Sequence, residues 1–182
     1  MIQTVTPAFN PTLDFARPLE LLRAGHQRIQ RECDALRHLI SNLKERGCDS
    51  AARETSAQVI QKLDVVTYHH REDEEQDLLP RMMASATKGR GSSLTNMVAD
   101  ITTEHRVLQR AWTELRADLQ ALAAGDRKSL DPLAVDRFVK LYRIHILMEE
   151  AGVYPLAEML LSNEDLTAMG IHMAHRRSVS PD

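Results

Sequence analysis

Aromatic residues are scarce, with three Phe, three Tyr and one Trp in 182 residues. Strand interiors draw on aromatic and β-branched side chains, so a strand-rich fold has little material to work with. Glycine and proline number only seven each, which favours long helices over a turn-dense architecture. There are two cysteines, Cys33 and Cys48, without CxxC spacing. Placed mid-helix and at that helix's end, they stand about 22 Å apart at ~1.5 Å per residue, too far for a disulfide. A thiolate metal site is disfavoured too, and reduced thiols suit a reducing compartment. The net charge of -3 gives no basic field, and Arg176-Arg177 is too short a basic run to argue nucleic-acid binding. No stretch approaches the roughly 20 apolar residues of a membrane helix, and Met1 to Pro18 lacks the basic and apolar parts of a leader peptide. The expectation is a cytoplasmic domain with neither nucleic acid nor membrane as partner.

What the chain does contain is helical periodicity. Hydrophobic residues make up 43%, enough for one domain with its own core. Leu19, Leu22, His26, Ile29, Cys33, Leu36, Ile40 and Leu43 step by three and four, as one buried helix face requires. A second stripe runs Val59, Leu63, Val66, His70 and then acidic residues. A third runs Leu94, Met97, Ile101, His105, Leu108, Trp112, Leu115, Leu119 and Leu122. A fourth runs Phe138, Leu141, His145, Met148, Gly152, Leu156 and Met159. Breaks fall at Gly47–Ser50, Lys88–Gly91 and Gly125–Pro132, where Asp131-Pro132 reads as a helix cap followed by proline in the first turn. The pattern predicts an all-α protein: an antiparallel up-down-up-down four-helix bundle over 18–162, an N-terminal arm over 1–17 and a short C-terminal tail over 163–182.

Each stripe carries one histidine. His26 and His70 lie 21 and 23 residues from Gly47, His70 and His105 lie 18 and 17 from Lys88, and His105 and His145 both lie 20 from Gly125. In such a bundle these near-equal distances place all four at one height. The chain also repeats. His26-Gln-Arg-Ile-Gln-Arg matches His105-Arg-Val-Leu-Gln-Arg at an offset of 79, and His70, Glu74, Glu75 and Pro80 match His145, Glu149, Glu150 and Pro155 at an offset of 75. Two such helical hairpins imply a pseudo-twofold axis.

Residues i and i+4 share a helix face, so His70/Glu74 and His145/Glu149 each offer an imidazole and a carboxylate to one volume. With His26 and His105 the candidate metal ligands are six: His26, His70, Glu74, His105, His145 and Glu149. Imidazole with carboxylate and no thiolate suits iron, manganese or zinc better than copper(I) or an iron–sulfur cluster, and six ligands exceed one closed four-coordinate site. Two ions sharing the carboxylates satisfy the count. Asp73 competes with Glu74, but the repeat places Met148 opposite Asp73 and so selects Glu74. His38, His69, His172 and His175 fall off the stripes or in the tail and are read as non-ligands. Tyr142, three residues before His145, is either an outer hydroxyl near the centre or an ordinary core tyrosine, and the latter is preferred.

The pattern H…HxxxEE…P repeated twice, over about residues 18–162, resembles the hemerythrin-like, or HHE cation-binding, domain. The resemblance implies a helical bundle holding two iron ions, oxo- or hydroxo-bridged when oxidised, that bind dioxygen or nitric oxide. It places the same six residues as ligands. The oxygen carriers of that family have a fifth histidine one turn along the third helix, where this chain has Ile101 and Gln109. They have an aspartate where it has Glu149. The chain therefore has at least one more open coordination position. One function is a ligand-binding protein for sensing, storage or stress response, with an apolar pocket walled by Ile29, Val66, Leu108 and Leu141. The alternative is an enzyme that acts on peroxide or oxidises ferrous iron, with Glu75 or Glu150 as proton donors. The sequence does not choose between binding protein and enzyme, and it names no protein partner.

Overall fold

The computed structural model describes residues 14–86 and 91–178, with Gly91 and Ser92 described by backbone alone. All regular structure among them is helical, in the order α1 (Pro18–Arg46), α2 (Ser50–Asp73), α3 (Leu79–Ser85), α4 (Gly91–Ala124), α5 (Pro132–Met148), α6 (Tyr154–Leu160) and α7 (Asn163–Arg176). Short π-helical segments, Glu74–Leu78 and Glu149–Val153, join α2 to α3 and α5 to α6 without a break. No helix among the described residues is long and apolar enough to cross a membrane.

Local chemistry sets the helix ends. Pro18 opens α1, and Gly47 closes it at φ +74°, in the left-handed region that favours glycine. The Asp49 side chain accepts the Ala52 N–H at 2.8 Å, and Asp131 accepts the Leu133 N–H at 2.9 Å. The latter is the capped, proline-led start that Asp131-Pro132 predicts. The break expected at Lys88–Gly91 falls largely on residues outside those described.

The π segments have a cause in proline. Pro80 and Pro155 cannot donate to the carbonyls four residues back, and their rings would crowd them. In each rod the extra residue of a π turn intervenes: the Leu79 N–H bonds the Glu74 carbonyl and the Tyr154 N–H bonds the Glu149 carbonyl. One added residue rotates everything beyond it by roughly 100°. This corrects the fourth stripe. Past the π segment Val153, Tyr154 and Ala157 are buried in place of Gly152, Leu156 and the 72% exposed Met159, and Met148, the residue just before it, is itself 43% exposed.

α1 packs on α2, α2 on α4, α4 on α5 and α5 on α1. The interior has three layers. One apolar cluster holds Cys33, Leu36, Leu39, Leu63, Leu115, Leu119 and Phe138, and another holds Leu22, Leu78, Met82, Ile101, Tyr154 and Met169. Between them lie the buried polar residues His26, His70, Glu74, His105, His145 and Glu149.

The segment from 163 onward, expected as a tail, is a helix over Asn163–Arg176. Ser162 and Asp165 form a capping box, and Met169 and Met173 enter the second apolar cluster. Gly170 is where the chain from the N-terminal side crosses α7: a Cβ there would lie 2.0 Å from the Phe15 carbonyl oxygen. Of the expected arm only residues 14–17 are described, and Phe15 packs against the same cluster.

Candidate metal centre

α1 brings His26, α4 brings His105, and the two interrupted rods bring His70 with Glu74 and His145 with Glu149. All six side chains are buried. Their ligand atoms form two groups, each with every atom within 4.8 Å of the others: His26, His70, Glu74 and Glu149, then Glu74, His105, His145 and Glu149. The two glutamates belong to both. Glu74 turns Oε1 toward His70 Nε2 at 3.4 Å and Oε2 toward His105 Nε2 at 3.3 Å. Glu149 turns Oε2 toward His26 Nε2 at 2.9 Å and Oε1 toward His145 Nε2 at 3.2 Å. Each carboxylate thus spans the two groups, one oxygen to each.

The opposite edges of three imidazoles are held by partly exposed carboxylates. Nδ1 of His26 meets Glu150 at 2.7 Å, that of His105 meets Glu75 at 2.8 Å, and that of His145 meets Glu104 at 2.9 Å. A carboxylate at Nδ1 fixes the tautomer and frees Nε2 as a donor atom to a cation. Sequence reasoning named Glu75 and Glu150 only as proton donors and missed Glu104.

Whether a cation fits here is decided by atoms left without partners. His70 Nε2, His105 Nε2, Glu74 Oε2 and Glu149 Oε1 are buried and accept or donate no hydrogen bond. Each such orphan costs about 1–3 kcal/mol, and all four converge on one layer. Imidazole nitrogen and carboxylate oxygen are the donors that borderline divalent cations prefer. The residues fit.

Without a cation the layer holds protons. Burial acts to lower the His105 pKa, but the carboxylates of Glu149 and Glu74 outweigh it and raise it to about 10. His70 is raised as well, burial again opposing and Glu74 and Glu149 prevailing. Burial acts to raise Glu149, yet His105, His26 and His70 hold it well below the ordinary carboxylate range. A histidine raised in the folded state adds stability that is fully present below its unfolded value of 6.5 and is lost as pH rises through about 10. A cation must displace those protons. Loading metal-free protein with iron(II) at about pH 7.5 is therefore expected to release protons, and affinity is expected to rise with pH up to about 10. A pH-stat titration with no proton release contradicts this.

Tyr154 is a residue that sequence reasoning missed. Its hydroxyl donates to Glu74 Oε1 at 2.7 Å and lies 3.2 Å from His26 Nε2, and its ring stacks on His26 at 5.3 Å between centroids. Burial, with Glu74 and Glu149 nearby, pushes its pKa well above 10, so it keeps its proton. Tyr142, the tyrosine singled out in the sequence, packs among the buried apolar residues against Phe138. Its ring stands edge-on to His145 at 6.4 Å.

The other expectations about individual residues resolve geometrically. The Asp73 carboxylate is taken by Arg176 and Arg177, away from the histidines. His38 and His175 are exposed, His69 stands edge-on to Tyr68, and His172 bonds Asp77 at 2.7 Å. Ile101 is buried among apolar residues. Gln109 lines a cavity of about 190 Å³ whose walls also include Ile29, Leu108, Trp112, His70, His105 and His145. Val66 and Leu141, expected in that wall, pack against the larger apolar cluster instead.

Gly25 lets α1 approach the centre, because a Cβ there would lie 2.8 Å from His70 Nδ1. Gly25→Ala is expected to displace the His70 ring, to cost about 1–3 kcal/mol by overpacking, and to lower metal content. Thermal unfolding together with metal analysis checks both effects.

A helical protein with a buried layer of four imidazoles and two shared carboxylates is built to hold cations. The chain matches the family described as hemerythrin HHE cation-binding domain over residues 17–157, and it belongs to that family. It is also 31% identical over 165 residues to a protein of Haemophilus influenzae described as uncharacterized, covering 89% of this chain and 91% of that one.

Proposed function

We propose that the chain is a non-haem di-iron protein that binds dioxygen or nitric oxide for sensing, storage or stress response. His26 and His70 would hold one ion and His105 and His145 the other, with Glu74 and Glu149 shared between them. The observation that carries this is the set of four buried donor atoms without partners, aimed into a layer that both glutamates span. Iron bound there would supply electrons and open coordination positions to a small ligand. The donor set, nitrogen and oxygen without thiolate, suits iron, manganese and zinc alike, and iron ranks first because the family match is to hemerythrin. The up-down-up-down antiparallel course belongs to the same reading. It is supported by α1 and α4 meeting the second apolar cluster before the first, and by the rods of α2 and α5 meeting them in the opposite order. The unpaired Cys33 and Cys48 support a cytoplasmic setting.

The protein's own residues then have defined tasks. Glu150, Glu75 and Glu104 orient His26, His105 and His145 and keep their Nε2 atoms available. The apolar clusters on either side keep bulk water out of the layer. The cavity beside Trp112 reaches His70, His105 and His145 and gives a ligand its approach. Tyr154 holds a proton at Glu74 Oε1 as a fixed hydrogen-bond donor. A tyrosine pushed above its ordinary range is a poor acid, and this favours binding over turnover. The second reading, an enzyme acting on peroxide or oxidising ferrous iron, draws support from Glu75, Glu104 and Glu150. Each is partly exposed and linked to a histidine, a route by which protons reach the layer.

Anaerobic purification followed by metal analysis tests the proposal. Two irons per chain and a spectrum that cycles reversibly with oxygen or nitric oxide support it. Catalytic consumption of peroxide by the intact protein supports the enzyme instead. Native protein that takes up no iron overturns both.

A further inference from the structure

The internal repeat is broken at a residue that touches the centre. The offset of 79 that carries His26 onto His105 carries Gly25 onto Glu104, and the offset of 75 that carries His70 onto His145 carries Glu75 onto Glu150. Glu150 and Glu75 are equivalent in the structure too, one bonding His26 and the other His105. Glu104 bonds His145, but its mate is a glycine. His70 consequently has no carboxylate at Nδ1 among the described residues, and its contacts with Glu74 and Glu149 run through Nε2. The α1 backbone runs past Nδ1 instead, so close that a Cβ on Gly25 would lie 2.8 Å from it.

A second break lies on the same side. The offset of 75 pairs Tyr154 with Leu79, so the hydroxyl that one repeat brings to the layer has as its counterpart a side chain buried in the second apolar cluster. Tyr154 donates to Glu74 Oε1, the oxygen turned toward His70. A hydrogen bond received there draws off charge that the oxygen would otherwise give to a cation. Of the four partnerless atoms, three face the other side: Glu74 Oε2, Glu149 Oε1 and His105 Nε2.

We propose that the two cation positions are unequal, the His105/His145 position binding a divalent cation more tightly than the His26/His70 position. This rests on the di-iron reading above. The glutamates Glu74 and Glu149 are common to both, so the difference comes from outside them. Two carboxylates back the tighter position, Glu75 and Glu104, against Glu150 alone at the looser one. Gly25 and Tyr154 are the positioning residues that make the difference, and Glu104 is the residue whose repeat partner is missing.

Titration of the metal-free full-length chain with iron(II), anaerobically and against a competing chelator, reads the two affinities. The native protein is expected to fill in two steps separated by about 10- to 100-fold, the usual effect of an outer carboxylate on a histidine ligand. Glu104→Gln and Glu150→Gln each keep an acceptor for the Nδ1 proton and remove the charge. Glu104→Gln is expected to weaken the tighter step and close the gap, and Glu150→Gln to weaken the looser step and widen it. A role limited to general stability would move the gap the same way in both variants. Two irons of equal affinity in the native protein, or both variants shifting the gap in one direction, overturn this inference and leave the di-iron reading standing. A chain that binds no iron overturns both.

Discussion

Glu149→Gln is expected to strip the protein of metal and leave its helices intact. Glu149 is fully buried and lies within 3.8 Å of an Nε2 atom of each of the four histidines. Among the described residues it is, with Glu74, one of two carboxylates that span both candidate cation groups. Glutamine has the same shape, so the packing between the two apolar clusters is kept. It carries no charge, however, and its amide nitrogen cannot act as a donor atom to a cation. Loss of an outer partner costs about 10- to 100-fold in metal affinity, so on the proposal that Glu149 is shared between two ions its loss is expected to cost more than about 100-fold at both positions. The histidines respond as well: with Glu149 neutral, His105 loses the strongest of the interactions that raise its pKa, which falls from about 10. Metal analysis together with far-ultraviolet circular dichroism reads the result. A folded variant that keeps two metals per chain would show that Glu149 is not a ligand.

The second large effect lies at the C-terminal helix. Asp73 and Asp77 flank Glu74 and are themselves buried. Arg177 reaches Asp73 at 2.6 Å, and Arg176 reaches Asp73 at 3.0 Å and also pairs with Asp77. α7 thus clamps the π segment that presents Glu74 to the histidines. Exposed ion pairs contribute little, but removing one side of a buried pair leaves a charge with nowhere to go and costs about 3–5 kcal/mol. Arg176→Ala with Arg177→Ala is expected to destabilise the chain by that amount, about 6–20 °C in melting temperature. Arg81 and His172 still contact Asp77, so the greater part of the loss falls at Asp73. The variant is also expected to hold metal less well, because the turn carrying Glu74 is no longer pinned. Thermal melts of the metal-free and metal-loaded forms separate the two effects. An unchanged melt would show that the clamp contributes nothing.

The arginines of this clamp illustrate where sequence stops being informative. Arg176-Arg177 reads as a short basic pair in a tail, and Asp73 reads as a competitor to Glu74. Their pairing joins residues more than 100 positions apart, and no local pattern encodes such a meeting. The same holds for Glu104 and His145, 41 residues apart on different helices. Tyr154 was hidden for another reason. Its side chain reaches Glu74 only because the π turn before it adds a residue and rotates the face that follows. The proline responsible is visible in the sequence, but the rotation is not.

The helical character, most of the buried stripe positions ahead of each π segment, and the six residues that converge are legible in the chain itself. Each of these follows from the 3.6-residue period of the helix, a local property that every stretch of chain carries independently. The spacing of the histidines from the turns added their common height. Tertiary structure alone decided how the layer is completed. It set which carboxylate backs which imidazole and which oxygen of Glu74 receives the tyrosine hydroxyl, and it placed a glycine against His70 where the repeat would put a glutamate. Those outcomes depend on how close the helices approach and how they are rotated about their axes, and only the packed molecule fixes that.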